Sequence, residues 1–206
     1  MIALEAYPYS TTQRTSKIKR ATKETQVAVE VNVDGMGKAS VKTGLSFIDH
    51  LIVAIANHGM IDIILTAISN DGILHHLVED VSIALSQSID KALSERSRIK
   101  RFGHAVVPMD ESLACVAIDL VKRQFYNMQL NLTADTVEGI PCEDLEHFMR
   151  SLFQNLNACT HVVVKYGDND HHKIESAIKA FAVAFRMAAS IDERRGDGIP
   201  STKGAM

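Results

Sequence analysis

The pentapeptide His-His-x-x-Glu occurs twice in this chain, and each copy trails an acid–His pair at nearly the same distance. The first set is Asp49-His50 followed by His75-His76-Leu77-Val78-Glu79, the second Glu146-His147 followed by His171-His172-Lys173-Ile174-Glu175. The lone histidine precedes its pair by 25 residues in the first set and by 24 in the second. A pattern that recurs with its spacing intact marks an internal duplication, so a fold for this chain has to seat two equivalent units. Six of the nine histidines belong to the arrangement. Neutral imidazole and carboxylate together suit intermediate divalent ions such as manganese, iron and zinc.

The flanking sequence repeats in step. In the first half Thr25 to Val33 alternates apolar with polar and ends at Asp34-Gly35, a strand and its turn. Ser16 to Lys23 is a weaker strand before it, and Lys38 to Lys42 returns as a partner. Phe47 to Ala56 predicts a helix with Gly59 at its C-cap, Ile61 to Ile68 a strand, and His75 to Ser94 a second helix. In the second half His104–Met109, Leu113–Leu120 and Gln124–Leu132 are strands. Cys142–Leu156 is a helix with Pro141 near its start, Thr160–Tyr166 a strand, and His171 to Ser190 a helix rich in alanine. The expected fold is therefore α/β (α+β, two-layer), a duplicated βββαβα unit. Each half makes a four-stranded sheet with two helices on one face, packed into one pseudo-symmetric body. The halves run from about 16–97 and 98–192 of a single domain over 1–206. Residues 1 to 15 read as a mobile arm, and 193–206 as a tail to which Ser201-Thr202-Lys203 gives chemistry.

Adjacent histidines on a helix point about 100° apart, so His75 and His76 cannot easily serve one ion together. Glu79 lies three residues after one and four after the other, and can share a site with either. His171, His172 and Glu175 obey the same rule. Each helix start thus offers one His–Glu chelate and one spare imidazole, and two such starts facing each other can exchange the spares. His50 and His147 would bring each ion to three imidazoles and one carboxylate. The spacing leaves open whether the clusters meet within one chain. If they lie apart, the sites form between subunits and activity requires an oligomer.

At 206 residues and 46% apolar composition the chain can bury a substantial core. A net charge of −3 gives no footprint for nucleic acid, and no apolar run reaches the roughly 18 residues of a spanning helix. Cys115, Cys142 and Cys159 have no C-x-x-C spacing and read as free thiols of a cytoplasmic protein. His104 and His161 read as structural. Arg101, Arg123, Lys179 and Lys203 read from spacing as solvated cations, with a convergent phosphate clamp as the alternative. Glu24 reads as a charged strand junction, or else as a general base. His58 at a helix end is a cation beside the dipole.

Further segments carry a family resemblance: RATKET (20–25), FIDH with NHG (47–50 and 57–59), HHLVEDVSIAL (75–85), RFGHAVVPMDESL (101–113), DLVKR (119–123), EHF (146–148), HHKIESAIKA (171–180) and PSTKG (200–204). Together they resemble the imidazoleglycerol-phosphate dehydratases of histidine biosynthesis. The resemblance implies a cytoplasmic hydro-lyase with two Mn2+ per active site, assembled as a homo-oligomer of 24 subunits with sites at subunit junctions. It implies one ion on His50, His76, Glu79 and His171, and the other on His75, His147, His172 and Glu175. The phosphate of the small imidazole substrate would be held at His58, Arg101, Arg123, Lys179, Ser201 and Lys203, with Thr202 also binding substrate. Glu24 would contact substrate, and Glu24, Glu79 and Glu175 are the candidates for proton transfer. The implied reaction converts D-erythro-imidazoleglycerol phosphate to imidazoleacetol phosphate through an imidazolate and a diazafulvene-like intermediate. Two departures stand out. Ile73-Leu74 replaces an acidic pair before the first paired histidines, and Leu77 replaces a threonine, so the hydrogen bonds that orient the ligands are where this chain is expected to differ.

Overall fold

The computed structural model describes residues 13–204, so most of the expected N-terminal arm lies outside the described residues. The first half runs β1 (Thr15–Ala21), β2 (Thr25–Asn32), β3 (Ala39–Lys42), α1 (Ser46–Gly59), β4 (Asp62–Ser69) and α2 (Leu74–Leu93). The second runs β5 (Phe102–Met109), β6 (Ser112–Asp119), β7 (Phe125–Gln129), a two-stranded hairpin of β8 (Thr136–Val137) and β9 (Ile140–Pro141), α3 (Cys142–Gln154), β10 (Cys159–Tyr166) and α4 (Asp170–Ala189).

The two sheets have the same topology. The first is ordered β1-β2-β4-β3 and the second β5-β6-β10-β7, antiparallel except for the pairs β3/β4 and β7/β10. Alternation sets the faces. In β2, Val27, Val29 and Val31 are buried while Gln26 and Glu30 are exposed, and β6 repeats this with Ala114, Val116 and Ile118 inside. Helix α2 lies on β1, β2 and β4, and α4 on β5, β6 and β10. Each half's helices then pack on those of the other, α1 against α4 and α2 against α3. The helices form a central layer between the sheets, filled by residues such as Leu51, Ile55, Leu85, Phe148, Phe153, Phe181 and Phe185, all at most 1% exposed. Each such side chain contributes about 1.5–3 kcal/mol. Core burial joins the halves.

Three local features depart from the expectation. Met60, not Gly59, takes the left-handed position after α1 (φ 53°), its N–H reaching the carbonyls of Ala56 and Asn57. The strand expected over Gln124–Leu132 ends at Gln129. The hairpin β8–β9 then occupies a stretch where the first half has only Thr43-Gly44-Leu45 between strand and helix. Two-residue strands carry no alternation to read.

Helix α4 lies close against β5 at Gly103. A Cβ there would stand 1.9 Å from the Ala184 carbonyl oxygen and 2.9 Å from the Ala188 nitrogen, both backbone atoms of α4. Gly103→Ala should therefore push α4 off β5 and cost about 1–3 kcal/mol, read as a lowered denaturation midpoint. Unchanged stability would contradict this packing.

Candidate metal centre

Both His-His pairs sit on the first turn of a long helix, and different devices hold those turns. Asn169 caps α4, its side-chain oxygen accepting from the backbone N–H of His171 (2.9 Å) and of His172 (3.4 Å). Ile73 at the start of α2 has no capping side chain. Instead Asp71 accepts from the Ile73 N–H at 2.9 Å, in a turn closed by Ser69 Oγ and Gly72 (φ 77°). In the first half the segment Arg20–Thr25 is tied to α2 through the buried Asp80, which accepts from Arg20 Nε (2.7 Å) and from Thr25 Oγ1. That tie sets Glu24 Oε2 3.9 Å from His76 Nδ1.

Two triads follow. His50, His171 and Glu175 form one, with ligand atoms all within 4.8 Å of one another. The Glu175 carboxylate lies 3.2 Å from His50 Nε2 and 3.1 Å from His171 Nε2. His75, Glu79 and His147 form the other, with His75 and His147 rings 4.5 Å apart and Glu79 Oε1 3.4 Å from His147 Nε2. A third group, Glu24, Asp71 and His76, is more exposed. The expected sets put Glu79 with His50 and His171, and Glu175 with His75 and His147; within one chain Glu175 lies with His50 and His171, and Glu79 with His75 and His147. On a helix the residue four positions on shares the face of the first paired histidine, and the second histidine has turned about 100° away. His76 and His172 are accordingly the spare imidazoles, directed to acids outside both triads.

The four paired histidines share a feature that sequence reasoning missed. Each donates Nδ1–H to a carboxylate: His75 to Asp144 (2.6 Å), His76 to Asp71 (2.7 Å), His171 to Glu138 (3.0 Å) and His172 to Glu111 (2.7 Å). A carboxylate on Nδ1 fixes the tautomer with the proton there and frees the Nε2 lone pair for a cation. Asp71 meets this need despite the apolar Ile73-Leu74. Asp144 was legible: it precedes His147 by three residues on α3, hence on the same face. Glu138 in the hairpin and Glu111 in the β5–β6 turn gave no periodic signal. Further, His147 Nε2 is buried with no hydrogen-bond partner among the described residues. A buried acceptor left bare is costly, and a cation would satisfy it. The donor set fits a divalent ion.

Electrostatics follow from these contacts. Burial works to raise the Glu175 carboxyl, but hydrogen bonds from Lys179 (2.8 Å) and His50 outweigh it, and the group ends below the ordinary value. Backbone N–H donation from Asn169 and the hydrogen bond with His172 bring Glu111 down to about 2. Asp71 raises His76 and Glu111 raises His172. Burial and the charge of Lys179 lower His58.

The candidate phosphate-binding residues are only partly gathered within one chain. His58 and Lys179 lie beside Glu175. Arg101, at φ 76°, is held by Asp119 (Nε 2.6 Å, Nη2 2.9 Å) and donates from Nη1 to the Pro200 carbonyl at 2.8 Å. That bond brings Ser201, Thr202 and Lys203 to its vicinity. Arg123 stands on the exposed β6–β7 turn, and among the described residues no contact draws it to the triads. Two cavities of about 510–520 Å3 flank Glu138. One is lined by His50, Leu74, Gly139, His171 and Glu175, the other by Ala134, Asn169, Asp170 and His172 among others.

A family model described as imidazoleglycerol-phosphate dehydratase matches residues 43–185. The imidazoleglycerol-phosphate dehydratase of Desulforamulus reducens is 45% identical over 194 residues, covering 94% of this chain and 98% of that protein. That of Dehalococcoides mccartyi is 42% identical over 195 residues, 95% and 98% of the two chains. The crystal structure of the Pyrococcus furiosus enzyme superposes with a TM-score of 0.78 at 32% identity, over 92% of this chain and all of that one. With its duplicated fold, its two histidine–glutamate triads and these matches, the chain belongs to the imidazoleglycerol-phosphate dehydratase family.

Proposed function

We propose that this chain is a metal-dependent hydro-lyase that removes water from D-erythro-imidazoleglycerol phosphate to give imidazoleacetol phosphate. The observation that carries the reading is the pair of triads, together with the carboxylate that meets Nδ1 of each of the four paired histidines. His50, His171 and Glu175 would hold one Mn2+, and His75, Glu79 and His147 a second. His76 and His172 turn from their own triads, and would complete those of neighbouring subunits, His76 beside His50 and His172 beside His147. This supports an assembly with sites at subunit junctions, 24 chains in the expected form. The three free thiols and the absence of a membrane-crossing helix among the described residues support the cytoplasm.

The chemical difficulty is a proton on a carbon with no neighbouring carbonyl. Divalent ions held by His50, His171 and Glu175 and by His75, Glu79 and His147 would supply Lewis acidity that favours the deprotonated form of the substrate's imidazole. The chain's own groups do the rest. Lys179 and His58 are placed for the phosphate beside the Glu175 triad, and Arg101, Ser201, Thr202, Lys203 and Arg123 would close on it from the tail and the β6–β7 turn. Glu175 is already engaged by Lys179 and His50, and Glu79 faces His147, so both are compromised as proton carriers. Glu24 is exposed and carries no comparable ties. Glu24 is therefore the base that moves the proton, and Glu79 and Glu175 are ligands.

Incubation with imidazoleglycerol phosphate should yield the enolisable ketone, seen by its absorbance in alkali, and no inorganic phosphate. Phosphate release would instead mark a binuclear hydrolase, and more than two Mn2+ per chain a storage shell. Stripping the metal with a chelator should lower turnover by more than about 100-fold, restored by Mn2+. Glu24→Gln should lower it by about 100- to 10,000-fold with metal content unchanged. Wild-type turnover in that variant would remove Glu24 from the chemistry.

A further inference from the structure

The duplication makes the two triads counterparts, yet their surroundings have diverged in three places. Three residues before the lone histidine stands Asp144 in the second half and Phe47 in the first. Asp144, its side chain only 9% exposed, meets His75 Nδ1 at 2.6 Å. Phe47 cannot accept a proton or donate one; its ring lies against His171 with centroids 4.9 Å apart. The acid for His171 comes from elsewhere, from Glu138 at the tip of the β8–β9 hairpin that the first half lacks. Glu138 is 57% exposed, its bond is longer at 3.0 Å, and it sits in the left-handed region (φ 50°), unfavourable for a glutamate. The third difference lies four residues beyond each triad glutamate. Lys179 Nζ stands 2.8 Å from Glu175 Oε1, whereas the counterpart position after Glu79 is Ile83.

All three differences act in one direction. A buried carboxylate behind an imidazole is poorly screened and strengthens its Nε2 as a donor to a cation; an exposed one is screened by water and salt. An ammonium on Glu175 competes with any metal for that oxygen and repels it, and among the described residues no Lys or Arg is paired with Glu79. We propose that the triads are unequal, His75–Glu79–His147 being the tight cation site and His50–His171–Glu175 the weak, exchangeable one. The weak site is also the one that carries Lys179 and His58. The ion that leaves and returns is thus the one beside the proposed phosphate pocket. The inference rests on the reading of the triads as metal sites.

The test uses the full-length, assembled protein stripped by chelator and dialysed against stepped concentrations of free Mn2+, with bound metal counted. The wild type should take up two ions per chain in two steps separated by at least about 10-fold in affinity. Asp144→Asn should loosen the tight step by about 10- to 100-fold and leave the weak step in place. Glu138→Gln should loosen only the weak step, and by less. Lys179→Met should tighten the weak step, a gain that misfolding cannot imitate. Two equal steps in the wild type, or no gain in Lys179→Met, would overturn the proposal. Failure to bind Mn2+ at all would sink the metal-site reading itself. Two unequal steps without ketone product would leave this inference standing and count against the dehydratase reaction alone.

Discussion

The site depends on one constraint, the 100° step between adjacent residues of an α-helix, applied where each helix begins. Two neighbouring histidines on such a turn have to diverge. The first shares its face with the glutamate four residues on, and the lone histidine of another helix meets them, giving His50–His171–Glu175 and His75–Glu79–His147. The second is left to point out of the triad. A chain built this way leaves each triad open to a further ligand, which in the proposed assembly a second chain would supply. The proposal of an obligate assembly follows from helix geometry before any interface is considered.

The fold serves this by bringing helices of opposite halves into contact. His50 on α1 meets His171 on α4, and His147 on α3 meets His75 on α2, because the helical layer pairs α1 with α4 and α2 with α3. Each triad therefore mixes the halves. Duplication alone would have given two separate sites; packing the halves face to face gives two crossed ones. The apolar interior packs α1 on α4 and α2 on α3, and so sets the relative places of the helices that carry the triads.

Much of this was legible in the residues and some was not. The spacing of the His-His-x-x-Glu copies, the alternation in β2 and β6 and the helical stretches after each turn gave the duplicated α/β unit. The partition of the glutamates was ambiguous, because both i+3 and i+4 neighbours lie within reach on a helix; only the rotamers at the first turn decide. The acids behind the histidines were harder. Asp144 announces itself by its place on the face of His147, but Asp71, Glu111 and Glu138 sit in turns, where partner choice is set by backbone path and not by period. The hairpin carrying Glu138 was invisible for the same reason, and with it the break in symmetry between the two sites.

The most direct measurement is anomalous diffraction from crystals of the Mn2+-loaded protein. The account predicts two peaks per chain, one bounded by the Nε2 atoms of His50 and His171 with Glu175, the other by those of His75 and His147 with Glu79. Each should lie about 2.0–2.5 Å from its ligands and also be touched by an imidazole of a neighbouring subunit. Peaks on the Nδ1 side of these rings, or away from both triads, would contradict it.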